Sequence, residues 1–148
     1  MDTIRILRVD DHDIVRTGLR TYLDTQKGLE VVAEATTGED AIIKAAQIQL
    51  DVVIMDITMP EKDGLVATKK LKEIDPDIRI LALTVHEDKQ YLFQMMAAGA
   101  SGYLTKQSAA EELVEAIRAV AVGNVYLQPT LARWLLEDYR RMLQGLPS

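Results

Sequence analysis

Five residues that can do chemistry each stand where a short apolar run ends: Asp10 and Asp11 after IRILRV, Asp56 after VVIM, Thr84 after IRILAL and Lys106 after GYLT. Three carboxylates brought together repel one another, and the arrangement is tolerable only with a divalent cation and an ammonium group among them. Asp10 and Asp11 supply hard oxygen donors of the kind Mg²⁺ takes, one or two carboxylates with several waters retained. A carboxylate at the mouth of an apolar strand, as Asp56 is expected to be, can attack phosphorus and form an aspartyl phosphate. The metal would screen that carboxylate and neutralise charge on the equatorial oxygens during transfer. Lys106 can pair with Asp56 at rest and with a phosphoryl oxygen afterwards, and Thr84 offers a hydroxyl to the same oxygen. The set points to Mg²⁺-dependent phosphoryl chemistry.

These side chains meet only if the runs they follow are parallel strands of one open sheet, whose carboxyl ends share an edge. The pattern agrees. Short β-rich runs at Ile4–Val9, Glu30–Ala35, Val52–Met55, Ile78–Leu83 and Gly102–Thr105 alternate with segments of helical period at Ile14–Leu23, Glu39–Gln49, Leu65–Ile74, Lys89–Ala98 and Ala109–Val122. The strands are almost continuously apolar, as expected when helices cover both faces. In the fifth helix Leu113, Ile117 and Val120 line one side; Ser108 is the expected N-cap and Gly123 the expected stop. Arg8 is the misfit: inside a doubly covered strand its guanidinium must reach a carboxylate or escape to solvent past the strand edge. Beyond Gly123, residues 124–130 form a short connector, and Leu131, Leu135, Tyr139 and Met142 make a stripe on a last helix with Trp134 beside it. That helix either folds back on its own domain or offers a dimer or interdomain surface. The expected division is one domain over 1–123 and a connector with a C-terminal helix over 124–148.

At 148 residues there is room for one domain with an appendage. With 17 basic and 23 acidic residues, a net charge of −6 and no basic run, the chain lacks the footprint of a nucleic-acid binder. It has no cysteine, which removes disulfides, thiolate metal sites and thiol catalysis. The N-terminus enters a strand at once, and no apolar stretch reaches about 18 residues, so a soluble, cytoplasmic protein is expected, with no membrane partner.

Taken singly, each site residue has an ordinary reading: a strand-end aspartate caps a helix, and a threonine or lysine there is surface. In the order DD, D-x-x-M-P, T and G-x-x-x-K, each after an apolar run, the set is specific. Through VDDHDIVRTGLRTYL, VVIMDITMPEKDG, LALT and GASGYLTK the chain resembles the receiver domains of bacterial two-component response regulators, over residues 4 to about 123. The resemblance implies an α/β flavodoxin-like fold, a doubly wound five-stranded parallel sheet of order 2-1-3-4-5, with one extra C-terminal helix. It implies Asp56 as the residue phosphorylated from a sensor histidine kinase, Asp10, Asp11 and the backbone carbonyl of Thr58 as the Mg²⁺ shell, Lys106 as the family's lysine, and Thr84 with Tyr103 as the switch pair. It implies no enzyme in the ordinary sense but a phosphoprotein that catalyses its own phosphotransfer and dephosphorylation, and a possible homodimer through the face of the fourth helix, fifth strand and fifth helix or through the C-terminal helix.

VDDHD and AAGASGYLTKQSAAEELVEAIRAVAVGNVYLQP are similar to the subgroup whose receiver is fused to a helix-turn-helix module of the LuxR/NarL type, so transcription would be regulated through a DNA-binding domain outside this chain. A fragment of such a regulator is the favoured reading, a stand-alone receiver the other. There are departures from the family pattern. Gln107 follows Lys106 where many receivers have a proline after a cis bond, and Val85 stands where a small residue is common. His86 reads as a loop residue and His12 as a capping or packing residue, since Mg²⁺ prefers oxygen.

Rival readings are a haloacid-dehalogenase-type phosphatase, a flavodoxin-like nucleotide or flavin module, and a pseudo-receiver with only a binding role. The first needs an aspartate two residues after the nucleophile, where Thr58 stands, and an acid pair late in the chain rather than early. The second needs glycines and backbone amides where DDHDIVRTG is acidic. The intact five-residue set argues against the third.

Overall fold

The computed structural model describes residues 3–10, 13–56, 61–84, 88–106, 108 and 110–145, and it alternates strand and helix as the apolar periodicity demands. The elements are β1 (Ile4–Val9), α1 (Asp13–Asp24), β2 (Leu29–Ala35), α2 (Gly38–Gln47), β3 (Val52–Asp56), α3 (Glu61–Ile74), β4 (Arg79–Thr84), α4 (Lys89–Ala97), β5 (Gly102–Thr105), α5 (Ala110–Ala121), β6 (Tyr126–Leu127) and α6 (Pro129–Leu143). All strand pairs are parallel, in the order β2-β1-β3-β4-β5-β6. The order reverses between β1 and β3, which is where a crevice opens at the carboxyl edge of such a sheet.

Because successive strand side chains point to opposite faces, the sheet divides the core in two. Leu7, Val9, Val53, Met55, Ile80, Ala82 and Tyr103 pack with Ala41 and Ala45 of α2, Ala67 and Leu71 of α3, and Leu92 and Met95 of α4. On the other face Ile6, Val52, Ile54, Leu81 and Leu104 pack with Leu23 of α1 and with Leu113, Ile117 and Val120 of α5. Helices end where the backbone permits. Gly123, at φ +95°, donates to the Val120 carbonyl while Asn124 donates to that of Ala119, the paired bonds that close a helix through a left-handed glycine. At the start of α5 the helix begins at Ala110, residue 109 lies outside the described residues, and the Ser108 hydroxyl accepts from Gln128 Nε2 at 2.9 Å and lies 3.4 Å from Thr105 Oγ1.

Among the described residues the sheet has six strands, not the expected five. Tyr126 and Leu127 pair with Gly102 and Tyr103, and two residues are too few to carry any periodicity. Gly102 makes the close approach possible, because a Cβ there would collide with Leu81 Cδ1 and lie 3.2 Å from the Tyr126 carbonyl oxygen. Gly102→Ala should therefore cost about 1–3 kcal/mol of stability, read as a lower denaturation midpoint at unchanged slope. An unshifted midpoint would mean that β6 gives way freely.

The last helix begins by folding back. Leu131 is fully buried in the α2–α3–α4 core and Trp134 and Leu135 pack against it, with α6 lying beside α4, whereas Tyr139, Met142 and Leu143 farther along are exposed.

Candidate functional site

Strand register brings the site residues together. Val9 of β1 pairs with Met55 of β3, so Asp10 and Asp56 come next on neighbouring strands. Asp56 pairs with Leu83, the residue before Thr84, and Thr84 pairs with Thr105, the residue before Lys106, whose amide donates to the Thr84 carbonyl at 2.6 Å. Asp10, Asp56, Thr84 and Lys106 thus share the carboxyl edge across β1, β3, β4 and β5. Asp11, His12, Thr58, Val85, His86 and Gln107, with the Lys106–Gln107 bond, lie outside the described residues.

The carboxylates are buried, Asp56 at 1% exposure and Asp10 at 4%. A desolvated carboxylate needs a compensating charge. Lys106 Nζ donates to Asp56 Oδ2 at 2.6 Å, a short charge-assisted bond. Asp10 lies 3.5 Å from Nη2 of Arg8, whose Nη1 lies 3.3 Å from Glu34 Oε2. The misfit in β1 is thereby explained: its guanidinium is buried and, among the described residues, reaches the carboxylates of Asp10 and Glu34. Sequence alone leaves this pairing undetermined, because Glu34 is brought beside Arg8 only by the β1–β2 pairing, in which the two are register partners.

Thr84 is buried at 6% exposure, and Tyr103 is fully buried two positions back from Thr84 in the β4–β5 register, opposite Ala82. The Tyr103 hydroxyl faces Thr84 and Asp88 without a well-formed hydrogen bond among the described residues, and burial pushes its ionisation up to about 12. Tyr126 is likewise pushed up to about 12, by burial first and then by its bond to Glu112 Oε2 at 2.9 Å. Both phenols hold their protons more tightly folded than unfolded. The stability this contributes is whole below about pH 10, the unfolded phenol value, and is lost as pH rises toward 12. Alkaline unfolding should coincide with the last two phenolate absorbance steps; early, reversible ionisation of all five tyrosines would contradict it.

Beside the carboxyl edge a cavity of about 390 Å³ opens between α1 and α5, lined by Asp10, Leu19, Tyr22, Leu104, Lys106 and Leu113. Among the described residues no group of three or more acidic or histidine side chains could hold a metal; Asp10 and Asp56 are the hard donors that neighbouring strand ends provide. The chemistry open to this edge is that of a buried carboxylate clamped by an ammonium, with a second carboxylate alongside.

Comparison with known proteins agrees with this geometry. The model of the response regulator receiver domain matches residues 6–118. The chain belongs to the receiver domain family. This receiver is 46% identical over 132 residues to the response regulator GacA of Pseudomonas aeruginosa, covering 89% of this chain and 62% of that protein. A two-component response regulator of the LuxR family from an Aurantimonas species superposes with a TM-score of 0.85 at 38% identity, over 93% of this chain and 99% of that one. The isolated receiver domain of RcsB from Salmonella enterica, solved with phosphomimetic beryllofluoride, gives 0.79 at 26% identity, over 90% and 99%. The receiver spans between 59% and 68% of the length of the curated relatives it matches. It is a two-component receiver of the GacA and NarL type. Among the described residues no helix is long and apolar enough to cross a membrane.

Proposed function

We propose that Asp56 accepts a phosphoryl group from a phosphohistidine of the sensor kinase, and that the receiver itself catalyses the transfer and the later hydrolysis. The observation that carries this reading is the Lys106 ammonium 2.6 Å from an Asp56 oxygen at the buried mouth of β3. Lys106 holds that carboxylate at rest and passes to a phosphoryl oxygen afterwards. Asp10 and Asp56, buried oxygen donors at adjacent strand ends, fit Mg²⁺, and with Asp11 and the Thr58 carbonyl they would hold it. When bound, the metal supplies charge neutralisation at the phosphoryl oxygens.

Phosphorylation adds nearly two negative charges to an acidic edge. Thr84 bonds the new oxygen, Tyr103 rotates into the space beside it, and the α4–β5–α5 face changes shape. The readout is a new protein contact, a homodimer through that face or through α6, and control of transcription through a DNA-binding domain in the remainder of the regulator. The site residues act together as a bistable element biased by one covalent group.

A small acyl phosphate with Mg²⁺ tests the reading. One acid-stable, base-labile phosphoryl group per chain by intact mass is the expected result, together with a change in hydrodynamic size on adding beryllofluoride and Mg²⁺. Steady turnover of a phosphomonoester with no stable adduct would favour the phosphatase reading instead.

A further inference from the structure

We infer that Arg8 is a resident cation of the acid site, a positioning residue that competes with the divalent metal for Asp10 and is itself regulated by Glu34. The inference rests on the assignment of Asp10 as a metal ligand.

Arg8 is the largest fully buried side chain among the described residues, and it sits in a strand covered on both faces. Its contacts to the two carboxylates are not short bidentate clamps: Nη2 lies 3.5 Å from Asp10 and Nη1 lies 3.3 Å from Glu34. One guanidinium is therefore shared between the site carboxylate and a carboxylate outside the site. Glu34 is in turn held by Arg20 Nη1 at 2.8 Å, and Arg20 Nε lies 3.8 Å from Asp24 Oδ2. The charges alternate from the surface of α1 inward through Asp24, Arg20, Glu34 and Arg8 to Asp10. Lys44 adds a bond to the Glu34 backbone carbonyl that fixes that residue.

Such a chain has two consequences at Asp10. Without a divalent ion, Arg8 offsets the buried negative charge, so the metal-free acid site is less strained by self-repulsion. When a dication arrives, the guanidinium opposes it through a medium of low dielectric and Asp10 must be shared or released. Glu34 makes release possible, because it keeps Arg8 compensated when Asp10 turns to the metal. A charge at position 34 should thus favour metal binding, and the charge at position 8 should oppose it.

The two substitutions consequently have opposite signs. In calorimetric Mg²⁺ titrations of the whole chain, Arg8→Met should bind the ion roughly tenfold more tightly and Glu34→Gln roughly threefold more weakly than the wild type. Thermal unfolding gives a second readout: Mg²⁺ should raise the melting temperature of Arg8→Met more than that of the wild type. A purely structural Arg8 would lower metal-free stability and leave affinity unmoved, and unchanged or weaker Mg²⁺ binding by folded Arg8→Met overturns the inference. If Arg8→Met does not fold, Glu34→Gln, at a partly exposed position, decides alone: weaker binding supports the inference and unchanged binding overturns it. Asp10→Asn separates the layers. Wild-type affinity in that variant removes the metal assignment and this inference with it, whereas lost affinity there beside unmoved affinity in Arg8→Met removes this inference alone.

Discussion

Asp56→Asn should accept no phosphoryl group from a small acyl phosphate under conditions that label the wild type fully, a fall in rate of roughly a thousandfold or more. An amide oxygen keeps the shape and the hydrogen-bond acceptor but not the nucleophilic charge, so the substituted side chain can still receive the Lys106 ammonium. Stability should hardly suffer. The substitution removes a carboxylate that is 1% exposed, while the Lys106 side chain keeps 22% exposure and with it access to solvent for its charge. A shift within about 1 kcal/mol of wild type follows, because relieving a desolvated anion offsets the loss of the charged pair. The checks are intact mass after incubation with donor and Mg²⁺, and denaturant unfolding of the same preparation. Labelling of Asp56→Asn at the wild-type rate would move the nucleophile elsewhere and with it the proposed mechanism.

How much of this fold is legible in the residues follows from the range of the forces involved. β1 and β5 are legible to the residue, Ile4–Val9 and Gly102–Thr105, because buried parallel strands announce themselves as apolar runs and stop where a polar group appears. The same rule locates four described site residues, since the chemistry sits where the apolar run stops. Helix α3 starts at Glu61 rather than Leu65 because its first turn, EKDG, is polar and carries no apolar period. Helix α2 ends at Gln47 rather than Gln49: the Ile48 amide still bonds the Lys44 carbonyl, but its backbone has already turned to the extended form. Strand β4 begins at Arg79 because Ile78 closes a turn onto the Asp75 carbonyl. β6 leaves no trace in the pattern because an edge pairing of two residues depends on Gly102 being small, a property of the neighbouring strand. The partners of Arg8 are hidden for a related reason, since Glu34 lies 26 positions away and only the β1–β2 pairing brings it near.

The residues of this edge act against a single background, burial, and that gives the lysine a role separable from the aspartate's. Lys106→Met should slow phosphorylation by roughly a hundredfold to a thousandfold, the usual effect of removing one preorganised donor to developing charge. Unlike Asp56→Asn it should also destabilise the fold, because Asp56 stays buried and loses the ammonium that sits 2.6 Å from its oxygen. A fully buried pair broken on one side costs about 3–5 kcal/mol; Lys106 is partly hydrated, so roughly 1–3 kcal/mol is expected. The double variant, Asp56→Asn with Lys106→Met, should recover most of that loss, since the anion whose burial caused it is gone. Denaturant unfolding of the four proteins gives the coupling directly, and the two single effects should fail to add by about 1 kcal/mol or more. Strict additivity, or a Lys106→Met protein as stable as the wild type, would mean that Asp56 is compensated by other groups and that the short Lys106 bond is not what keeps this carboxylate charged and ready at the mouth of β3.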